Sequence, residues 1–181
     1  ELRSNHFHAG IDIKTQGTRG NKVRAITDGY VSRIKVSTQG YGKALYIHHP
    51  DQGLTSVYGH LKAFNSSITK YLKKQQYSDK TYEIQLYPDK NQFVVSRGEV
   101  IGLSGNSGSS EGPHLHFEIR DLNTQEPLNP LHFRFDITDR LAPKIFNAGL
   151  YPATRQSSVN GKTEKRILDV VTRENNHYKL L

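Results

Sequence analysis

Gly112-Pro-His114-Leu-His116-Phe-Glu118-Ile-Arg120 is the stretch on which the reading of the fold turns. In a β-strand alternate side chains share a face. His114, His116 and Glu118 therefore fall on one face, with Leu115, Phe117 and Ile119 packed behind them. Two histidines on the front of a strand whose back is apolar form a rigid platform rather than a loop. The segment just upstream, Gly102-Leu-Ser-Gly-Asn-Ser-Gly-Ser-Ser-Glu-Gly112, has the glycines of a phosphate-binding loop. It lacks the chemistry, because no lysine follows the last glycine and a strand rather than a helix comes next. It reads as a flexible wall beside the His114/His116 strand.

Outward from this strand the same pattern recurs. Lys22-Val-Arg-Ala-Ile, Gly29-Tyr-Val-Ser-Arg-Ile-Lys-Val, Lys43-Ala-Leu-Tyr-Ile-His, Thr55-Ser-Val-Tyr-Gly-His and Gln92-Phe-Val-Val alternate or carry β-branched and aromatic residues. Gly20-Asn21, Asp28-Gly29, Gln39-Gly40 and Asp51-Gln-Gly53 separate them as turns. The fold class is mainly β, an antiparallel sandwich or barrel-like sheet. One stretch departs from it. Between Ser66 and Lys80, apolar Ile68, Tyr71 and Leu72 follow helical spacing behind a serine N-cap, which predicts a short surface helix. After Asn129-Pro130 the composition shifts. Arg140-Leu-Ala-Pro143 reads as a linker, Ser158-Val-Asn-Gly-Lys162 as a hairpin and Arg166-Ile-Leu-Asp-Val-Val as a strand.

Composition narrows the chemistry. The 181 residues carry 25 basic and 17 acidic side chains, a formal net charge of +8, which favours an anionic partner. No apolar run approaches the roughly 20 residues that cross a bilayer as a helix. The chain opens on Glu1-Leu-Arg rather than methionine, so a processed or trimmed start is expected, with any export signal upstream. With no cysteine, disulfides, thiolate zinc sites and a cysteine nucleophile are excluded. Nine histidines remain, and histidine with carboxylate is the ligand set left for a tight transition-metal site.

Two further motifs carry such residues. In His8-Ala-Gly-Ile-Asp12-Ile13, read as a strand, His8, Gly10 and Asp12 share a face, and Gly10 leaves space for both side chains to converge on one ion. His6 has the same parity. In Val57-Tyr-Gly-His60-Leu61, a histidine at a strand end projects over the neighbouring sheet surface. Neither motif is decisive alone, since a surface His/Asp pair and a structural histidine are the commoner explanations of such patterns.

Together, His8-x-x-x-Asp12, Tyr58-Gly-His60-Leu and Gly112-Pro-His114-Leu-His116-Phe-Glu resemble the three signatures of the lysostaphin/LytM-type zinc metallopeptidases, in that family's order. The similarity runs from about Phe7 to Pro130, and Arg3 sits where the family often has an arginine. The resemblance implies an antiparallel β-sheet groove fold of the LytM type, a duplicated hybrid motif. It implies zinc held by His8, Asp12 and His116, with a fourth position for water, which zinc brings toward neutral pKa. It places His114 as general base and His60 as a residue that hydrogen-bonds the oxyanion or orients water and substrate. His48, His49, His132 and His177 are left as structural or surface histidines.

The resulting expectation is a peptidase domain over residues 1–132, with an insertion at about 62–97 that carries the helix and reshapes one groove wall. A β-rich extension, 133–181, would anchor or position it. The expected substrate is the peptide cross-link of bacterial peptidoglycan, outside the cytoplasm, with zinc as the only cofactor and no nucleic-acid partner. Members of the family that have lost zinc ligands act as activators of other wall hydrolases. Retention of all five candidate residues speaks against that alternative here.

Overall fold

The computed structural model describes residues 2–3, 6–133, 135, 145–154, 156–172 and 178–180. Its strands begin with β1 (Leu2–Arg3), β2 (His6–Phe7), β3 (Ile11–Lys14), β4 (Lys22–Arg24), β5 (Gly29–Val36), β6 (Ala44–His49), β7 (Leu54–Gly59) and β8 (Ala63–Phe64). Helix α1 (Ser66–Asp79) follows, then β9 (Ile84–Leu86), β10 (Val94–Val95), β11 (Val100–Leu103), β12 (His114–Asp121) and β13 (Pro127–Leu128). Strands β14 (Asn147–Leu150), β15 (Arg166–Thr172) and β16 (Tyr178–Leu180) complete the order. The chain falls into two compact units, Glu1–Ile137 and Thr138–Leu181.

The first unit is built on an eight-stranded antiparallel sheet in the order β10-β5-β6-β7-β12-β13, with β3 also paired to β12 and β9 to β5. A smaller sheet has the order β4-β11-β8. Alternation produces the two faces. Leu45, Ile47, Tyr58, Phe117 and Ile119 turn inward to the main core, while Tyr46, Glu118 and Arg120 turn the other way. In β5 the buried residues are Val31, Ile34 and Val36, a spacing that period two alone does not give. A register shift between Val31 and Arg33 supplies the extra residue and returns Ile34 to the core. Each fully buried aliphatic side chain contributes about 1.5–3 kcal/mol, so this face holds the sheet together.

Helix α1 covers the expected stretch, with a different cap. Asn65 Oδ1 accepts from the Ile68 amide at 3.0 Å, which makes Asn65 and not a serine the N-cap. Ile68 and Leu72 sink into the same core as Leu45 and Phe117. The helix is therefore packed on the core side of the sheet. The part of the proposed insertion that reaches the opposite face is β9 with Tyr87, hydrogen-bonded along β5. Among the described residues no helix is long and apolar enough to cross a membrane.

The second unit carries a three-stranded sheet, β14-β15-β16. Val159 and Lys162 bridge across Asn160 and Gly161, whose φ values of 51° and 75° are those of a tight hairpin turn. The expected linker Arg140-Leu-Ala-Pro143 lies outside the described residues.

Candidate metal centre

The site is assembled on the outer face of β12. Antiparallel register sets His116 opposite Asp12 of β3 on one side and opposite Gly59 of β7 on the other. His60, the next residue after β7, takes a left-handed backbone conformation at φ 56°, which turns its ring over the sheet. The three motifs far apart in sequence thus meet through strand pairing.

One expectation fails in detail. His8, Gly10 and Asp12 do not alternate along a single strand, because β3 begins only at Ile11 and Gly10 forms a bend. The glycine is required for a different reason. A Cβ there would lie 2.1 Å from the Phe117 carbonyl oxygen, so only glycine lets the bend lie flat against β12. The bend still delivers His8 to its neighbour: His8 Nε2 is 3.1 Å from Asp12 Oδ1.

His116 Nδ1 lies 3.0 Å from His8 Nε2 and 3.1 Å from Asp12 Oδ1. The three atoms form a nearly equilateral triangle. On its far side His116 Nε2 donates to Glu118 Oε1 at 2.7 Å, which leaves Nδ1 with a lone pair facing Asp12. A cation between these three atoms would be held by all of them. Tetrahedral bonds of about 2.1 Å imply ligand separations of roughly 3.4 Å, so modest relaxation of the triangle accommodates a zinc-sized ion. These residues could hold a metal.

Beside the triangle, His114 Nδ1 donates to the Gly112 carbonyl at 2.8 Å and has Ser110 Oγ at 3.2 Å. Its Nε2 is buried, lies 3.4 Å from Asp12 Oδ1 and makes no hydrogen bond among the described residues. His60 Nδ1 donates to the Ser107 carbonyl at 2.7 Å. Burial pushes the His60 imidazole below its ordinary pKa, against the opposing pull of that carbonyl. Both rings are thus anchored through Nδ1, and their centroids are 4.7 Å apart.

Three supporting residues, Glu118, Arg120 and Tyr41, stand behind His116. Glu118 is fully buried beneath His116 and accepts from His116, from Arg120 Nε at 2.6 Å and from the Tyr41 hydroxyl. Burial alone would raise its carboxyl, but these three donors and the Arg120 charge hold it at about 2. Burial and the Glu118 partnership push the Tyr41 phenol far above its usual range. The Tyr41 ring also lies 4.5 Å from that of His116, tilted by 32°. Parity placed Glu118 on the histidine face, whereas nothing in the sequence joined Tyr41 to it.

The glycine-rich segment is a wall, as expected, but it is tied down rather than flexible. Ser107 Oγ accepts from the Lys43 amide and donates to the Leu61 carbonyl, and the Ser109 amide donates to the Gly40 carbonyl. A Cβ on Gly108 would meet Gly40 O and Gly42 N at 2.3 Å, so this close approach of two loops requires glycine. The other histidines are as expected where described. His49 is buried between the Asp28 carbonyl and Ser56 Oγ, His48 meets the Tyr30 hydroxyl, and His132 is exposed. His177 and the side chains of Arg3 and His6 lie outside the described residues.

The chain is similar to known proteins over most of its length. The sequence pattern of Peptidase family M23 matches residues 6–78 and 83–130, and the chain belongs to that family. Over 130 residues it is 35% identical to the DD-carboxypeptidase/endopeptidase Mpg of Neisseria meningitidis serogroup B, across 72% of this chain and 23% of Mpg. The catalytic domain of the antimicrobial peptidase lysostaphin from Staphylococcus simulans shares the fold with a TM-score of 0.50 and 25% identity, over 70% of this chain and 77% of that one. The murein hydrolase activator NlpD of Salmonella dublin is 29% identical over 124 residues, 68% of this chain and 25% of NlpD. The chain spans about a quarter of the length of these two curated relatives. The mainly β, lysostaphin-type groove fold is that of the family.

Proposed function

We propose that this chain is the catalytic part of a zinc endopeptidase that hydrolyses peptide cross-links of bacterial peptidoglycan outside the cytoplasm. The observation that carries the reading is the triangle of His8 Nε2, Asp12 Oδ1 and His116 Nδ1, with separations of 3.0–3.1 Å, beside two histidines, His60 and His114, each anchored through Nδ1 on a backbone carbonyl. Its donor set, two imidazoles and a carboxylate, is that of catalytic zinc sites with an open position. Zinc bound there would polarise the scissile carbonyl and bring a water molecule toward neutral pKa.

The chain's own residues do the rest. His114, its Nδ1 anchored on Gly112, presents Nε2 to take the proton of the attacking water and pass it to the leaving amine. His60 donates Nδ1–H to Ser107, so it orients water through Nε2 and becomes a donor to substrate oxygen only after accepting a proton. Glu118 fixes the His116 tautomer and ring plane. The names of the relatives support the substrate class, since they include a DD-carboxypeptidase/endopeptidase and an antimicrobial peptidase.

The name of NlpD favours a second reading, an activator of other murein hydrolases. A complete ligand triangle with both histidines in place is what such an activator has no need of. Two measurements decide. Purified muropeptides digested with the zinc-loaded protein should yield peptide-cleaved products by mass analysis. His116→Ala should lose its zinc. Unchanged zinc content in that variant would sink the ligand assignment.

A further inference from the structure

The outer sheet face carries a second cluster that the metal centre does not use. Strand register places Arg33, Tyr46, Val57 and Glu118 in one row across β5, β6, β7 and β12. Arg120 stands two residues beyond Glu118 on the same face. Arg33, Tyr46 and Arg120, with Tyr87, His48 and Gln125, line a cleft of about 380 Å³. At about 3.3 Å per residue along a strand and 4.8 Å between strands, its centre lies roughly 12 Å from His116, the reach of about four extended peptide residues.

The cleft holds a buried donor without a partner. The Arg33 guanidinium is stacked 4.6 Å from the Tyr46 ring centroid and 6.0 Å from that of Tyr87. Its Nη2 donates to Gln85, but its Nε is buried without a hydrogen-bond partner, and no acidic side chain pairs with it among the described residues. Tyr46 is only 6% exposed, with its ring beneath the Arg33 guanidinium. Arg120 spends Nε on Glu118 and leaves both Nη groups uncommitted. Glu118, the acid nearest this row, is already saturated by His116, Arg120 and Tyr41. The buried Arg33 Nε calls for an acceptor, and two guanidiniums beside a phenol call for an anionic one of planar, forked shape.

We propose that this cleft seats a carboxylate of the peptide substrate and thereby sets which bond of an extended peptide reaches His116. The proposal rests on the peptidase reading above and adds a specificity determinant to it. The carboxylate is either the peptide's own C-terminus or an acidic side chain about four residues from the cleaved bond.

The test scores binding without turnover. A zinc-loaded His114→Ala protein is titrated by calorimetry with a cross-linked stem-peptide dimer in three forms: carboxylates free, C-terminal carboxylate amidated, and side-chain carboxylates amidated. One of the amidated forms should bind roughly 10–100-fold more weakly, the effect of losing a charge-assisted hydrogen bond, and which one it is identifies the source. Adding Arg33→Gln should erase the difference between free and amidated forms, and Tyr46→Phe, which keeps the ring under Arg33, should reduce it. Zinc content and circular dichroism establish that both variants are folded. Equal binding of all three forms, no binding of any, or full discrimination retained in Arg33→Gln would overturn the subsite. Failure of the wild-type protein to cleave any form would overturn the peptidase reading instead, while the binding ratios still decide the subsite.

Discussion

The two halves of the candidate centre arrive on opposite kinds of backbone. His116 comes from β12, a strand paired with β7 on one edge and with β3 and β13 on the other, and it is 2% exposed above a fully buried Glu118. His8 and Asp12 come from a bend and a four-residue strand paired only with β12, and the Asp12 side chain is 26% exposed. One half is fixed by the core whether or not a metal is present. The other is held by few backbone bonds, so an ion that ties His8 and Asp12 to His116 contributes directly to its order.

The largest effect should come from His114, the proposed proton-transfer residue on the rigid half. His114→Ala should keep its metal and lose about 10²–10⁴-fold in hydrolysis of muropeptides. Turnover near the wild-type value would contradict its role. Next, Glu118→Gln preserves shape but weakens the hold on the His116 tautomer. Metal affinity measured against a chelator should fall about 10–100-fold. An unchanged affinity would mean that packing alone orients the ring.

Removing the metal sharpens the comparison itself. Hydrogen exchange after chelation should accelerate at Ile11–Lys14 while Leu115–Ile119 stay protected. Equal acceleration in both segments would show that the centre unfolds as one unit. The smallest effect concerns the frame far from the metal. Burial pushes the His49 imidazole below its ordinary value, with the Asp28 carbonyl opposing. The unfolded chain therefore binds a proton more readily than the fold. Stability should be full above about pH 6.5 and decline as pH falls below it toward the lower folded value. His49→Gln, less stable throughout, should show a shallower decline in urea midpoint between neutral and mildly acidic pH. The same slope in both proteins would assign the decline to other groups.

The contrast between the halves also explains what could be read from the sequence. Period two was reliable on β12 because a central strand, packed behind and open in front, has no freedom to depart from it. It misplaced the geometry around Gly10, where the backbone leaves the strand and the glycine answers to Phe117, a residue 107 positions away in the chain. Helix α1 was legible from its apolar spacing, but the side of the sheet it covers was not. Amphipathicity shows that a face is buried, not against which surface. Tyr41 and Arg120 were silent because their partners are set by strand register and loop contact, neither of which leaves a local pattern.

Strand β5 has eight residues, with Tyr30, Val31, Ile34 and Val36 among them, and uncovered its edge would be a template for a neighbouring molecule. Its outer edge is capped in two pieces. Strand β9 pairs with Ile34–Val36, β10 pairs with Gly29 and Tyr30, and the Val31 amide between them donates to the Phe93 carbonyl. Strands β9 and β10 therefore also blunt the sheet edge on which chains would otherwise stack and aggregate.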